Sequence, residues 1–212
     1  MSPDRASILR EPIEPTDDAG VRARLADSHV TIIGCGGLGS NAANMLVRSG
    51  VGELTLIDFD VVEETNLNRQ LFFRDQLGLP KTEALAETLR RIVPGVTLHL
   101  ITACVTESNA ADLVRGADVV IEAVDSAATK AMVVNVVTGD LPDVPLVCAS
   151  GLAGFGSANE IITERMGDDF YLVGDLRSDV RHRLPLLAPR VMVAAAHEAQ
   201  AAIRILLGHP EA

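Results

Sequence analysis

Three glycines, Gly34, Gly36 and Gly39, stand in GxGxxG spacing within the stretch TIIGCGGLGSNAANML, residues 31 to 46. A strand-like apolar run enters them and a helix-like run leaves. In that setting one glycine permits the tight turn, one lets the backbone approach a phosphate, and one lets helix and strand pack closely. The helix start adds unpaired N–H groups and a partial positive charge, which suits an anion. Asp58 ends the next strand, 19 residues after Gly39, where a carboxylate accepts from ribose hydroxyls. A redox dinucleotide and an ATP destined for cleavage satisfy this much equally well.

The residues that follow separate the two. Asn66, Arg69 and Gln70 occur as NLNRQ in the loop directly after Asp58, and Lys81 stands at the start of a helix. A cation there is disfavoured by ~0.3–1 kcal/mol unless it meets an anion. Asp125 follows a later strand, at the carboxyl edge where ligands of this architecture bind. Each has an ordinary reading too: a solvated polar loop, a surface lysine, and an N-cap for the helix SAATKAM. Together they set two cations, two amides and several acids around one glycine turn. Splitting ATP between its α- and β-phosphates calls for cations that neutralise developing charge and a carboxylate that holds Mg2+. Hydride transfer calls for none of this near its phosphates, so an NAD(P)-dependent oxidoreductase is the alternative of a different class.

The elements that position these residues alternate. HVTIIG is a first strand; after the turn, Leu38, Ala42, Met45, Leu46 and Ser49 share one helical face while Asn41, Asn44 and Arg48 share another. ELTLIDFD is a second strand, and PKTEA begins a helix lined by Leu85, Leu89, Ile92 and Val93 and ended by Pro94-Gly95. VTLHLI, ADVVIEAV and PLVCASG continue the strands, with SNAADLVRG and SAATKAMVVNVVTGD as helices between them. The rhythm predicts an α/β, Rossmann-like fold: a largely parallel sheet with helices on both faces. After residue 151, SANEIITER and DFYLVGD read as strands with no helix between, which predicts an antiparallel extension near the C-terminus. A polar connection, LRSDVRHRLPLL, leads to an alanine-rich helix from about Ala188 to Leu207, either deeply buried or shared with a second subunit. Residues 1–20 read as a flexible arm and 21–212 as one ATP-binding domain.

Composition excludes several classes. The chain has 48% hydrophobic and 22% charged residues, as a folded α/β domain does, and no apolar run long enough to span a bilayer. No signal peptide is recognisable, so a cytoplasmic location is expected. A net charge of −11 argues against a nucleic-acid partner and means that an anionic substrate is met by a few local cations. Cys35, Cys104 and Cys148 form no CxxC pair, and with scattered histidines they predict no zinc site.

The motifs GCGGLGS, LIDFDVVEETNLNRQ, PKTEAL and EAVDSAATK, in this order, resemble the ThiF/MoeB-type adenylyltransferases, relatives of the ubiquitin-activating enzymes. The tail from ASGLAGFGSANEI to APRVMVAAAHEAQ is similar to a compact ThiF subgroup of thiamine biosynthesis. The resemblance implies that a ubiquitin-like sulfur carrier, ThiS-like, presents its C-terminal Gly-Gly carboxylate to MgATP and becomes an acyl-adenylate. It also implies that Gly34, Gly36, Gly37 and Gly39 form the cradle, Asp58 binds ribose, Asn66, Arg69 and Lys81 grip the phosphates with Gln70 in support, Asp60 orders the loop or assists the cations, and Asp125 coordinates Mg2+. No general base is required, because the attacking carboxylate is already ionised at neutral pH. Within the class, another ubiquitin-like carrier, such as one serving molybdopterin, remains open.

The chain departs from the pattern in three places. It lacks the two CxxC pairs that many relatives use for zinc. No cysteine follows Cys148, so the reaction is expected to stop at the adenylate and leave sulfur delivery to a separate donor; Cys35 and Cys148 read as packed residues. An arginine that relatives supply from a second subunit is not recognisable, with Arg5, Arg10, Arg22 and Arg24 as candidates. The resemblance implies a homodimer.

Overall fold

Val30, Ile32, Leu54, Leu56, Val119 and Ile121 are completely buried because they lie in a central sheet covered on both faces. The structure, a computed structural model, describes residues 11–178 and 184–210. Its strands are β1 (His29–Ile33), β2 (Glu53–Ile57), β3 (Thr97–Ile101), β4 (Val119–Glu122), β5 (Leu146–Ala149), β6 (Ile162–Arg165) and β7 (Phe170–Gly174). They form one seven-stranded sheet in the order β3-β2-β1-β4-β5-β7-β6. All neighbours are parallel except β6 and β7, the antiparallel extension expected from the sequence.

The helices are α1 (Asp18–Ala26), α2 (Gly37–Ser49), α3 (Lys81–Ile92), α4 (Ala110–Val114), α5 (Ala127–Asp140) and α6 (Ala188–Leu206). One apolar cluster joins the sheet to α2, α3 and α6, and a second joins its other face to α4 and α5. Val30 pairs with Leu54 on one side and Val119 on the other, so β1 lies between β2 and β4. The chain leaves β1 in one direction and returns on its other flank. That reversal opens a crevice at the carboxyl ends of β1 and β4, the place where such sheets hold ligands.

The last helix, α6, packs within the chain. Ala194, Ala195, Ala199 and Ala202 are buried, and their small side chains allow the close approach of α6 to α2. Three local expectations are corrected. Asn41 is 4% exposed rather than part of a solvent-facing stripe, because its amide has main-chain partners described below. Val93 follows the end of α3 and is 36% exposed, and Ala158–Glu160 is a short 3-10 turn ahead of β6. Of the expected arm, residues 1–10 lie outside the described residues, as do 179–183 of the polar connection. From residue 11 the chain lies against the C-terminal end: the Ile13 N–H donates to the Leu207 carbonyl at 3.0 Å. Among the described residues no helix is long and apolar enough to cross a membrane.

Candidate nucleotide site

The glycine turn is held by contacts that only glycine tolerates. Gly34 has φ +95°, and a Cβ there would stand 2.7 Å from the Ala123 carbonyl at the exit of β4. A Cβ on Gly39 would stand 1.8 Å from the Gly34 carbonyl, so the first turn of α2 rests directly on the loop. On Gly37 it would meet Val191 of α6 at 2.9 Å and the Arg69 stem at 3.5 Å. Gly36 differs: its nearest neighbour would be Gln70 Nε2, at 3.7 Å. Three of the four glycines serve packing, and Gly36 leaves main chain open to a ligand.

Asp58 locks this turn to β2. One carboxylate oxygen accepts from the Cys35 N–H at 2.7 Å and the other from the Asp60 N–H at 2.8 Å. Each oxygen keeps a second lone pair for a hydroxyl. Burial, and then the Asp58 carboxylate beside it, push the Cys35 thiol well above its ordinary range, with Lys81 pulling the other way. It stays a packed thiol.

Lys81 solves its placement problem locally. Its main-chain N–H donates to the Asp60 carbonyl at 2.9 Å, and its Nζ pairs with Asp60 Oδ2 at 2.7 Å. The lysine side chain is 8% exposed and that of Asp60 48%. Asn66 shapes the next loop: its Oδ1 accepts from Glu63 N–H, and its carbonyl accepts from the N–H groups of Arg69 and Gln70. Arg69 runs along Gly37 and bonds through Nη1 to Asn68 Oδ1 at 2.8 Å and to the Thr65 carbonyl. Gln70 is buried beside Gly36, and its Oε1 has no partner among the described residues.

Asp125 lies just beyond β4, exposed, two residues ahead of α5. The helix cap is Ser126, whose Oγ accepts from Thr129 N–H, so Asp125 is released from that duty. Its strand exit is pressed against Gly34 through Ala123 and Val124. The structure therefore gathers the glycines, Asp58, Asp60, Asn66, Arg69, Gln70 and Lys81 into one connected network. Asp125 joins it through the main chain, with no hydrogen bond or ion pair to Arg69 or Lys81.

Sequence reasoning missed two ties between turn and loop. Ser40 Oγ donates to the Gly36 carbonyl at 2.6 Å and accepts from Leu71 N–H at 3.0 Å. Asn41 Nδ2 donates to the carbonyls of Gly37, at 2.6 Å, and Arg69, at 3.0 Å. The only signal was a polar pair directly after the last glycine. Of the arginine candidates, Arg5 and Arg10 lie outside the described residues. Arg22 and Arg24 sit on α1, which enters the amino end of β1 and so lies away from this turn. A cavity of about 590 Å³ opens instead between α6 and the β6–β7 edge, lined by Tyr171, His197 and Arg204. No residue of the glycine network lines it, so the site rests on the turn's chemistry rather than on that cavity.

The ThiF family model matches residues 10–212, nearly the whole of this chain. The chain belongs to the ThiF family. Its ThiF domain is 44% identical over 114 residues to tRNA threonylcarbamoyladenosine dehydratase of Haemophilus influenzae, covering 53% of this chain and 44% of that protein. It is 36% identical over 144 residues to the SAMP-activating enzyme E1 of Haloferax volcanii, covering 68% and 53% respectively. The chain thus spans about half the length of these relatives. Among solved structures, the E. coli dehydratase TcdA in complex with ATP superposes with a TM-score of 0.81 at 26% identity, over 89% of each chain. The relatives thus include a ubiquitin-like-protein-activating enzyme and a dehydratase solved with ATP. They do not favour the nicotinamide alternative, and they point more to the dehydratase group than to thiamine-pathway enzymes.

Proposed function

We propose that this chain adenylates the C-terminal Gly-Gly carboxylate of a ubiquitin-like, ThiS-like sulfur carrier in the cytoplasm and releases pyrophosphate. The observation that carries the reading is the crevice at β1 and β4. There an open stretch of main chain at Gly36, a nearly buried lysine, an arginine along Gly37 and an uncapped acid share one edge of the sheet. Gly36 and Gly37 would cradle phosphate at the start of α2. Asp58 would take ribose hydroxyls on its spare lone pairs. Arg69 and Lys81, with Asn66 and Gln70 in support, would neutralise charge on the β- and γ-phosphates as the α–β bond breaks.

An exposed carboxylate with no hydrogen-bond or ion-pair partner among the described residues fits a hard divalent cation, so Asp125 would hold Mg2+. Bound there, Mg2+ supplies charge neutralisation to the triphosphate. The carrier carboxylate attacks the α-phosphorus, the bond to the bridging oxygen breaks, and pyrophosphate leaves with the electron pair. This chain's contribution is alignment and charge, since the nucleophile needs no base. No cysteine follows Cys148 in the sequence, so the reading ends at the acyl-adenylate and a separate donor brings sulfur. The same reading makes residues 21–212 the ATP-binding domain and the protein a homodimer.

A second reading is favoured by the likeness to the dehydratases: the activated carboxylate belongs to a modified nucleoside of tRNA. A net charge of −11 weighs against that partner, because a phosphate backbone is held by basic surface. ATP–pyrophosphate exchange measured with purified ThiS-like and other ubiquitin-like carriers, and with tRNA, decides between them. Exchange with a carrier but not tRNA is the expected result, and the reverse overturns it.

A further inference from the structure

Asp125 is exposed and, among the described residues, no hydrogen bond or ion pair restrains its carboxylate. Its direction is therefore set by the main chain of residues 123–126. Three contacts hold that turn from the glycine side and above. Ala123 N–H donates to the Ile33 carbonyl at 2.8 Å, the Ala123 carbonyl abuts Gly34, and Ser126 caps α5. From below, one side chain grips it: Glu122 Oε1 accepts from Val124 N–H at 2.8 Å.

Glu122 is completely buried, and its second oxygen is bound by Lys130 Nζ. Lys130 lies one turn into α5, and its own N–H donates to the Ser126 carbonyl at 2.8 Å. The chain of contacts closes on itself, from Glu122 to Val124, past Asp125 to Ser126, and back through Lys130. Without that cation the buried carboxylate is left uncompensated and must move, and the Val124 bond would loosen with it. Lys130 is 23% exposed, so its ammonium reaches this acid from the rim rather than from the core.

We propose that Glu122 and Lys130 are a positioning pair that fixes the turn bearing Asp125 and thereby sets the site's affinity for a nucleotide-bound divalent cation. This rests on the reading of Asp125 as the metal acid, but it needs no particular carrier. The test measures Mn2+ affinity by electron paramagnetic resonance in the full chain saturated with α,β-methylene ATP. Affinity for the same nucleotide in EDTA is measured beside it.

Lys130→Met is expected to lower Mn2+ affinity about ten-fold or more, as loss of a group behind a metal ligand does. Nucleotide affinity in EDTA is expected to hold, and Lys130→Arg to restore the metal. If Lys130→Met fails to fold, Glu122→Met, which removes the acceptor for the Val124 N–H, carries the same comparison. Unchanged Mn2+ affinity, or equal losses with and without metal, overturns the pair. A wild-type chain that gives no pyrophosphate with any carrier yet shows this split sinks the proposed reaction and leaves the pair standing. A wild-type chain that binds no Mn2+–nucleotide ends both.

Discussion

Gly36→Ala and Gly39→Ala separate the two jobs of the glycine turn. A methyl on Gly36 would meet nothing nearer than Gln70 Nε2 at 3.7 Å, an ordinary contact. The folded state therefore accepts it, with a stability change within about 1 kcal/mol, or roughly 2–4 °C in a domain of this size. The same methyl occupies the space where a phosphate would approach the main chain. Losing one hydrogen bond to a charged group costs about 1.5–3 kcal/mol, so ATP affinity is expected to fall about ten- to a hundred-fold. A methyl on Gly39 does the opposite work. It would lie 1.8 Å from the Gly34 carbonyl and 2.9 Å from Ile32 Cγ2, so α2 must lift by more than an ångström. Overpacking of that kind costs about 1–3 kcal/mol or more, and the melting temperature drops with it. Calorimetric titration with ATP and thermal unfolding read the two effects apart. A well-folded Gly36→Ala variant that binds ATP like the wild type would refute the placement of phosphate at this turn.

Asp125→Ala is expected to leave stability within about 0.5 kcal/mol, because Ser126 is the cap, while pyrophosphate exchange falls at least a hundred-fold; near-normal exchange removes the acid from the mechanism. Lys81→Met is expected to weaken ATP by about 1.5–3 kcal/mol and AMP much less, since AMP lacks the β- and γ-phosphates; equal losses for both by calorimetry would contradict that role. Glu198 is wholly buried with no hydrogen-bond partner for either carboxylate oxygen among the described residues, and burial, with Glu122 nearby and against the pull of Lys130, raises its pKa well above the ordinary 4.5. A raised folded-state value means its contribution is fully present below the unfolded pKa and is lost as pH rises. Glu198→Met is therefore expected to stabilise by about 1–3 kcal/mol, with a larger gain at pH 8 than at pH 5 in thermal unfolding; a loss, or a gain that ignores pH, would refute it.

Residues close in sequence carried most of what was legible. The glycine spacing, the acid ending β2 and the lysine opening α3 are local patterns, and alternation of strands and helices fixed the crevice that gathers them. The ties across distance were not legible. Asn41 falls on the polar stripe by helical period, yet it is buried because the Gly37 and Arg69 carbonyls satisfy its amide. Period alone does not distinguish a solvated amide from a satisfied one. Arg190 is another case. It is 4% exposed and joins the Ser157 carbonyl and Asp175 Oδ2, at 2.8 and 2.6 Å, drawing together three segments separated in sequence. Asp125 was ambiguous between cap and ligand, and the geometry of its neighbour Ser126 decided the first half of that question.

On the proposed reading, the lysine at the head of α3 is how a strongly acidic chain would keep a cation for an anionic ligand. From sequence, its position called for an anion and pointed to phosphate. The structure supplies Asp60 instead. The two partners are unequal: the lysine side chain is 8% exposed and cannot turn to water, whereas Asp60, at 48%, can. A nearly buried ammonium needs an anion at all times, because leaving it unpaired is expensive. The exchangeable member is thus the carboxylate. When a triphosphate arrives, Asp60 can swing out to solvent or to a cation while Lys81 stays in place. On the proposed reading the cation would be held ready for phosphate before the nucleotide binds, and the helix N-terminus that disfavours it alone would, with phosphate present, be a second source of positive potential on the same group.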